Sequence, residues 1–250
     1  MKKMKNLVTI FFVFGIFCIA NAQEIQSKKG ENYLPEAADW AISFNANGVF
    51  KYLGNAFNGK LDNEAPSFSS PNGNAFVGKK FITDKSAYRV VAELGYISNS
   101  ELINFANNEA SFIKQTGLGV TLGFGKEWRR GKTRLQGFYG ADVLVTMNSG
   151  SFGGSKTNAI TGAFIESSEL KKSLGFGAGV QGFLGAEYFI FPKFSLGAQY
   201  TYRVGFSNEG ELTITKKIGN AAPVTANFGK TSNYNLGSLG VPFINLTLHF

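Results

Sequence analysis

Apolar and polar residues alternate with period two along most of the chain, and each alternating run predicts a strand with one apolar and one polar face. In the last run, Ile244, Leu246, Leu248 and Phe250 share one face while Asn245, Thr247 and His249 share the other. The seventh is the clearest: Phe194, Leu196, Ala198, Tyr200, Tyr202, Val204 and Phe206 oppose Ser195, Gly197, Gln199, Thr201, Arg203, Gly205 and Ser207. Eight runs predict strands, at about 40–53, 74–83, 87–99, 113–128, 133–147, 174–190, 194–207 and 236–250. The second is the weakest, because Lys79 and Lys80 blur its alternation.

The connections alternate in length. Short turns are expected at Asp84-Lys85-Ser86, Arg129-Arg130-Gly131-Lys132 and Phe191-Pro192-Lys193. Long loops rich in Asn, Ser and Gly, residues that favour turns and irregular backbone, are expected at about 54–73, 100–112, 148–173 and 208–235. Strict alternation of short and long connections requires antiparallel strands with both chain ends on the short-turn side. Trp40, Trp128, Tyr188, Phe194 and Phe250 fall near the short-turn ends of their strands, and Tyr96, Tyr202 and Phe206 near the long-loop ends. Two such aromatic girdles are expected of a strand protein that faces lipid.

Alternation alone leaves open which face is wet. A soluble eight-stranded barrel of lipocalin type puts the apolar set inside, around a ligand. A membrane barrel puts it against lipid. The Gly-rich polar faces of the fourth and sixth runs, the aromatic residues at strand ends and the chain's ending at Phe250 favour the second arrangement. The lumen then holds Arg89, Glu93, Glu127, Arg134, Asp142, Glu187 and Arg203, with Gln136, Gln181, Gln199 and Asn245. Both signs are present, as pairing in a desolvated interior requires. Eight strands leave room only for side chains to fill the interior, so a salt-bridge plug is expected. A narrow path for protons, ions or solutes past the glycines is the alternative.

The leader changes the picture of composition. Lys2, Lys3 and Lys5, the apolar stretch Leu7 to Ile19 and Ala20-Asn21-Ala22 read as a cleaved signal peptide over 1–22. A short polar lead, 23–39, then precedes the strands of 40–250, as a flexible periplasmic segment or a lumen plug. Cys18 is the only cysteine and leaves with the leader, so no disulfide or thiolate metal site is expected. Loss of the three lysines lowers the formal net charge from +8 to +5. That mild, scattered surplus gives no nucleic-acid footprint. No apolar run long enough for a transmembrane helix follows the leader, yet a closed ring of strands can span a bilayer because every backbone group is paired.

Chemistry-bearing motifs are few. Gly177-Ala178-Gly179-Val180-Gln181-Gly182 matches a dinucleotide fingerprint, but period two continues through it and no helix opens there. Gly73 to Lys79 resembles the front of a P-loop, yet Lys80 stands where Ser or Thr must hold magnesium. His249 is the only histidine, at the short-turn rim on the polar face, where a capping hydrogen bond is its expected role. Imidazole and thiolate ligands are otherwise lacking, and Asp62 with Glu64 is too thin a cluster for calcium. No enzyme activity, cofactor or metal is expected.

The terminal Asn245-Leu246-Thr247-Leu248-His249-Phe250, with the strand and loop pattern from Trp40 onward, resembles the small outer-membrane β-barrel family of Gram-negative envelopes, the OmpA/OmpX/OmpW-like group. The resemblance implies an all-β fold, an eight-stranded antiparallel up-and-down transmembrane β-barrel with short periplasmic turns and four long external loops. It implies a monomer in the bacterial outer membrane, both termini periplasmic, in contact with outer-membrane lipid and lipopolysaccharide. Leu246, Leu248 and Phe250 would be read by the barrel-assembly machinery. Members of the family differ in task, and fold does not choose among tasks. A structural or surface-interaction role carried by the external loops is expected first. A porin-like channel for ions or small solutes, a component of a protein-export complex and a lipocalin-like soluble barrel are the alternatives.

Overall fold

A computed structural model describes residues 25–48, 52, 55, 57, 76–104, 109–238 and 243–250. The expected leader at 1–22 and most of the connection at 54–73 lie outside the described residues. Eleven strands form one antiparallel sheet: β1 (Trp40–Asn45), β2 (Phe76–Thr83), β3 (Ser86–Asn104), β4 (Glu109–Arg130), β5 (Leu135–Asn158), β6 (Phe164–Phe191), β7 (Phe194–Glu209), β8 (Leu212–Ile218), β9 (Val224–Phe228), β10 (Thr231–Ser238) and β11 (Phe243–His249). Eight of them close a ring in the order β1-β2-β3-β4-β5-β6-β7-β11, because β11 pairs with both β7 and β1. At the seam the Trp40 N–H donates to the Phe250 carbonyl at 2.7 Å, and the Phe250 N–H donates back to Trp40 at 2.8 Å.

The ring settles the direction of the two faces. The row Val90–Phe124–Val143–Val180–Val204 crosses five adjacent strands in direct register, and all five members point away from the ring, with Val143 62% exposed. The polar set points in: Lys79, Arg89, Glu127, Asp142, Gln181 and Glu187 are buried. The aromatic residues Trp40, Trp128, Tyr188, Phe250, Tyr96, Tyr202 and Phe206 stand outward and exposed, and Phe194 is half-buried. Leu248 is exposed and Leu246 half-buried on the same outer face.

Three expected loops are corrected. β3 and β4 continue to Asn104 and from Glu109, so 100–112 is mostly hairpin. β5 and β6 run to Asn158 and from Phe164, so 148–173 is a pair of strands joined by a turn. Within 208–235 lie the β8–β9 hairpin, which extends the sheet from the far end of β6, and the start of β10, which pairs with β7. Asn, Ser and Gly read as loop in the sequence, but here ladder hydrogen bonds to a long neighbouring strand satisfy the backbone. The closing run is two strands, β10 and β11, and the opening one stops at Asn45.

Along β5, β6 and β8 of these projecting arms the faces exchange character, while Leu102 and Phe112 keep an apolar outward pair on β3 and β4. β5 and β6 slip register between Asn148 and Gly150, the mark of a bulge. Beyond it the outward row is Ser98–Thr116–Ser151–Lys171–Thr213–Asn227, polar throughout. The inward row there is Gln115–Phe152–Leu170–Ile214–Ala226. Higher on the arm Lys156 and Glu166 pair at 3.0 Å. Their hydrogen bond holds the carboxyl below its ordinary range and the ammonium above its own.

The lead folds across the short-turn end. The Tyr33 carbonyl accepts from the Lys193 N–H at 3.2 Å, and the Ala38 N–H donates to Phe81 at 3.0 Å. The Lys193 ammonium bonds Asp39, and Tyr33 is buried beneath the Arg134 guanidinium, 3.7 Å from its ring centroid. Through these contacts the described part of the lead, from Ile25, caps the short-turn end.

Candidate functional site

Inward positions on a ring of this size converge, so charged side chains from different strands meet without water between them. Glu127 on β4 lies at the centre, with its carboxylate 2.9 Å from the Lys79 ammonium, 2.9 Å from the Arg89 guanidinium and 3.5 Å from that of Arg129. Arg89 also reaches Asp142 at 3.3 Å, and Arg129 bonds Glu187. Ser195 donates to Glu187 at 3.2 Å. Gln181 donates to Asp142 at 2.8 Å and accepts from Arg203 at 2.8 Å, and Arg203 donates to Glu93 at 2.7 Å. Gln199 accepts from Arg89 at 3.4 Å and donates to Thr201 at 2.9 Å.

The result is one connected network of four cations (Lys79, Arg89, Arg129, Arg203) and four carboxylates (Glu93, Glu127, Asp142, Glu187), balanced in charge. Arg89 and Glu127 are both 0% exposed. Removing such groups from water costs several kcal/mol per ion unless each is paired and hydrogen-bonded, so the charge balance is a condition for the interior to exist.

Aromatic rings fill the space beside the cations. The Arg89 guanidinium lies 3.7 Å from the Phe183 ring centroid, and the Lys79 ammonium 5.0 Å from that of Phe138. Arg129 lies 5.3 Å from Phe81 and 5.8 Å from Phe189. Attraction of a cation to a ring face strengthens when both are desolvated. Two glycines make room for the rings: a Cβ on Gly140 would run into Phe183, and one on Gly185 into Phe138. The glycines of the polar face therefore admit ring atoms at this level. The space left beside Lys79, Phe138, Glu187 and Gln199 is about 10 Å³, room for about one water. Nearer the arms, Glu93, Gly95, Gly119 and Thr121 line a wider pocket of about 370 Å³.

Of the residues expected in the interior, Arg89, Glu93, Glu127, Asp142, Gln181, Glu187, Gln199 and Arg203 meet in this network. Arg134 lies at the short-turn rim, its guanidinium 3.7 Å from the Tyr33 ring centroid, and Arg129 bonds Glu187. Lys79, Arg129 and the four interior phenylalanines are additions. His249 does not have the expected capping role: its ring packs 5.6 Å from Phe81 and 5.1 Å from Phe189, a filler between aromatic rings. Among the described residues no group of three or more His, Cys, Asp or Glu is placed to hold a metal ion. No protein-family model and no curated protein matches the chain.

Proposed function

We propose that the ring is an eight-stranded outer-membrane β-barrel, periplasmic at its short turns, with a lumen closed by a salt-bridge plug and a surface-interaction role carried by its projecting arms. The outward apolar belt around a charge-balanced interior carries this reading. On β4 the belt runs from Trp128 to Leu118, ten residue-to-residue steps. At ~3.4 Å per residue and a tilt of ~40° that is a height of ~26 Å, against the ~25 Å apolar band of such barrels. A lipocalin-type barrel needs the opposite faces, apolar within. The exchange of faces at the bulge beyond Asn148 fits a strand that leaves lipid for water, where an apolar outer surface no longer has a solvent.

The plug favours a surface role over a conducting one. Recognition then falls to the arms, whose inner face offers Phe152 and Ile214 and whose edge strand β9 pairs, among the described residues, with β8 alone. The full chain should sediment with outer membranes, resist alkaline extraction, migrate faster in SDS before boiling than after it, and show no steady conductance in planar bilayers. Recovery as a monodisperse periplasmic protein without detergent would overturn the reading.

A further inference from the structure

The outward belt is apolar except at one place. Between the levels of Trp128 and Leu118, the charged residues that point outward among the described residues are Lys80 on β2 and Lys126 on β4. They lie on one cross-strand row with Tyr88 between them, Lys80 opposite Tyr88 and Tyr88 opposite Lys126. Trp40 continues the row on the far side of Lys80. Neither lysine has a carboxylate partner among the described residues. The Lys80 ammonium lies 4.8 Å from the Trp40 ring centroid and that of Lys126 lies 5.5 Å from Trp128. Tyr88 is 47% exposed and stacks on Phe124 at 5.7 Å, which fixes its ring and leaves the hydroxyl outward.

Two ammonium groups on a lipid-facing surface need an anion that comes from outside the chain. Facing residues on neighbouring strands have Cβ atoms about 5 Å apart, so the Lys80 and Lys126 Cβ atoms stand about 10 Å apart across Tyr88, and both flexible side chains, turned from the Trp40 and Trp128 rings, span that distance to one phosphate. Tryptophan prefers the headgroup level, and Trp40 and Trp128 put this row at that level on the short-turn side. Lysine stems lie along apolar surface while their heads seek polar ground.

We propose that Lys80, Tyr88 and Lys126 form a binding site for the phosphate of an anionic glycerophospholipid in the leaflet nearer the short turns. The two ammonium groups and the tyrosine hydroxyl donate to the phosphate, and the rings of Trp40 and Trp128 border its glycerol. This rests on the membrane reading above.

Native mass spectrometry of the chain released from nanodiscs tests it, with phosphatidylglycerol and phosphatidylcholine supplied in equal amounts. The wild-type chain should retain phosphatidylglycerol at least five-fold over phosphatidylcholine. K80Q/K126Q should lose that preference, K126Q alone should halve it or more, and K80R/K126R should keep it. Each variant's boiling-dependent mobility shift reports folding, and K126Q carries the test if the double variant does not fold. Millimolar inorganic phosphate should leave the lipid bound, and its displacement by phosphate would overturn the lipid assignment. A dimer lost in K80Q/K126Q with lipid retention unchanged would assign the row to a second copy and overturn the site. A chain that never enters the bilayer overturns this site and the membrane reading together. A chain that enters and retains phosphatidylglycerol equally without the lysines overturns this site alone.

Discussion

Replacing Glu127 by glutamine is expected to destabilise the folded protein by about 3–5 kcal/mol, the cost of breaking a buried ion pair from one side. The substitution keeps the side chain's volume and removes only its charge. Lys79 and Arg89, each 2.9 Å away, and Arg129 at 3.5 Å then stand in a desolvated interior with one carboxylate fewer. Glutamine also offers one acceptor oxygen where the carboxylate offers two, and turns an amide donor toward the same cations. Urea unfolding followed by tryptophan fluorescence, in lipid vesicles, measures the loss. Lys79→Met in the same chain should restore part of it, because the second change removes one of the unbalanced cations. Glu166→Gln is the control. Its partner Lys156 is exposed on the arm, and an exposed pair contributes about 0–1 kcal/mol. An E127Q protein as stable as the parent would mean that the interior is hydrated and the network is not a plug.

Val143→Arg is the second large effect. Val143 stands near mid-height of the belt, flanked in register by Phe124 and Val180. An arginine on the lipid face near the bilayer midplane costs about 2–4 kcal/mol. The same change at Ser151, eight positions further along β5 in the polar outward row, should cost almost nothing. Folding yields into vesicles, read as the boiling-dependent band, compare the two. For a ring in water the contrast disappears, because an arginine at an exposed valine is then as harmless as one at Ser151.

The strands of the ring were legible because one face keeps its apolar parity without a break: Leu118, Val120, Leu122 and Phe124 on β4, Tyr200, Tyr202 and Val204 on β7. What the interior holds was less legible. Lys79 and Lys80 are adjacent, so one must point in and the other out; only the register with β3 assigns Lys79 to Glu127 and Lys80 to Trp40. Arg129 sits in Arg129-Arg130-Gly131-Lys132, a composition that reads as a turn, yet β4 runs through Arg130 and aims Arg129 at Glu187. Phe138 and Phe183 share the parity of Asp142 and Gln181, a signal that was present. Polar-face phenylalanines make sense only once the cations they cover are placed. The arms were hidden because Asn, Ser and Gly favour turns over strands by themselves. Their pairing follows from the length of β6, which has 28 residues and pairs with β5 along one edge and with β7 and then β8 along the other.

Lipid contact at the outward apolar row is the central claim, and site-directed spin labelling tests it most directly. Cys18 is the only cysteine, so a chain begun at Gln23 accepts single labels without background. In reconstituted bilayers, labels at Val90, Val143 and Val180 should collide with dissolved oxygen far more than with a water-soluble nickel chelate, and labels at Ser98, Ser151 and Lys171 should show the reverse. Equal nickel access at the two rows would contradict the account.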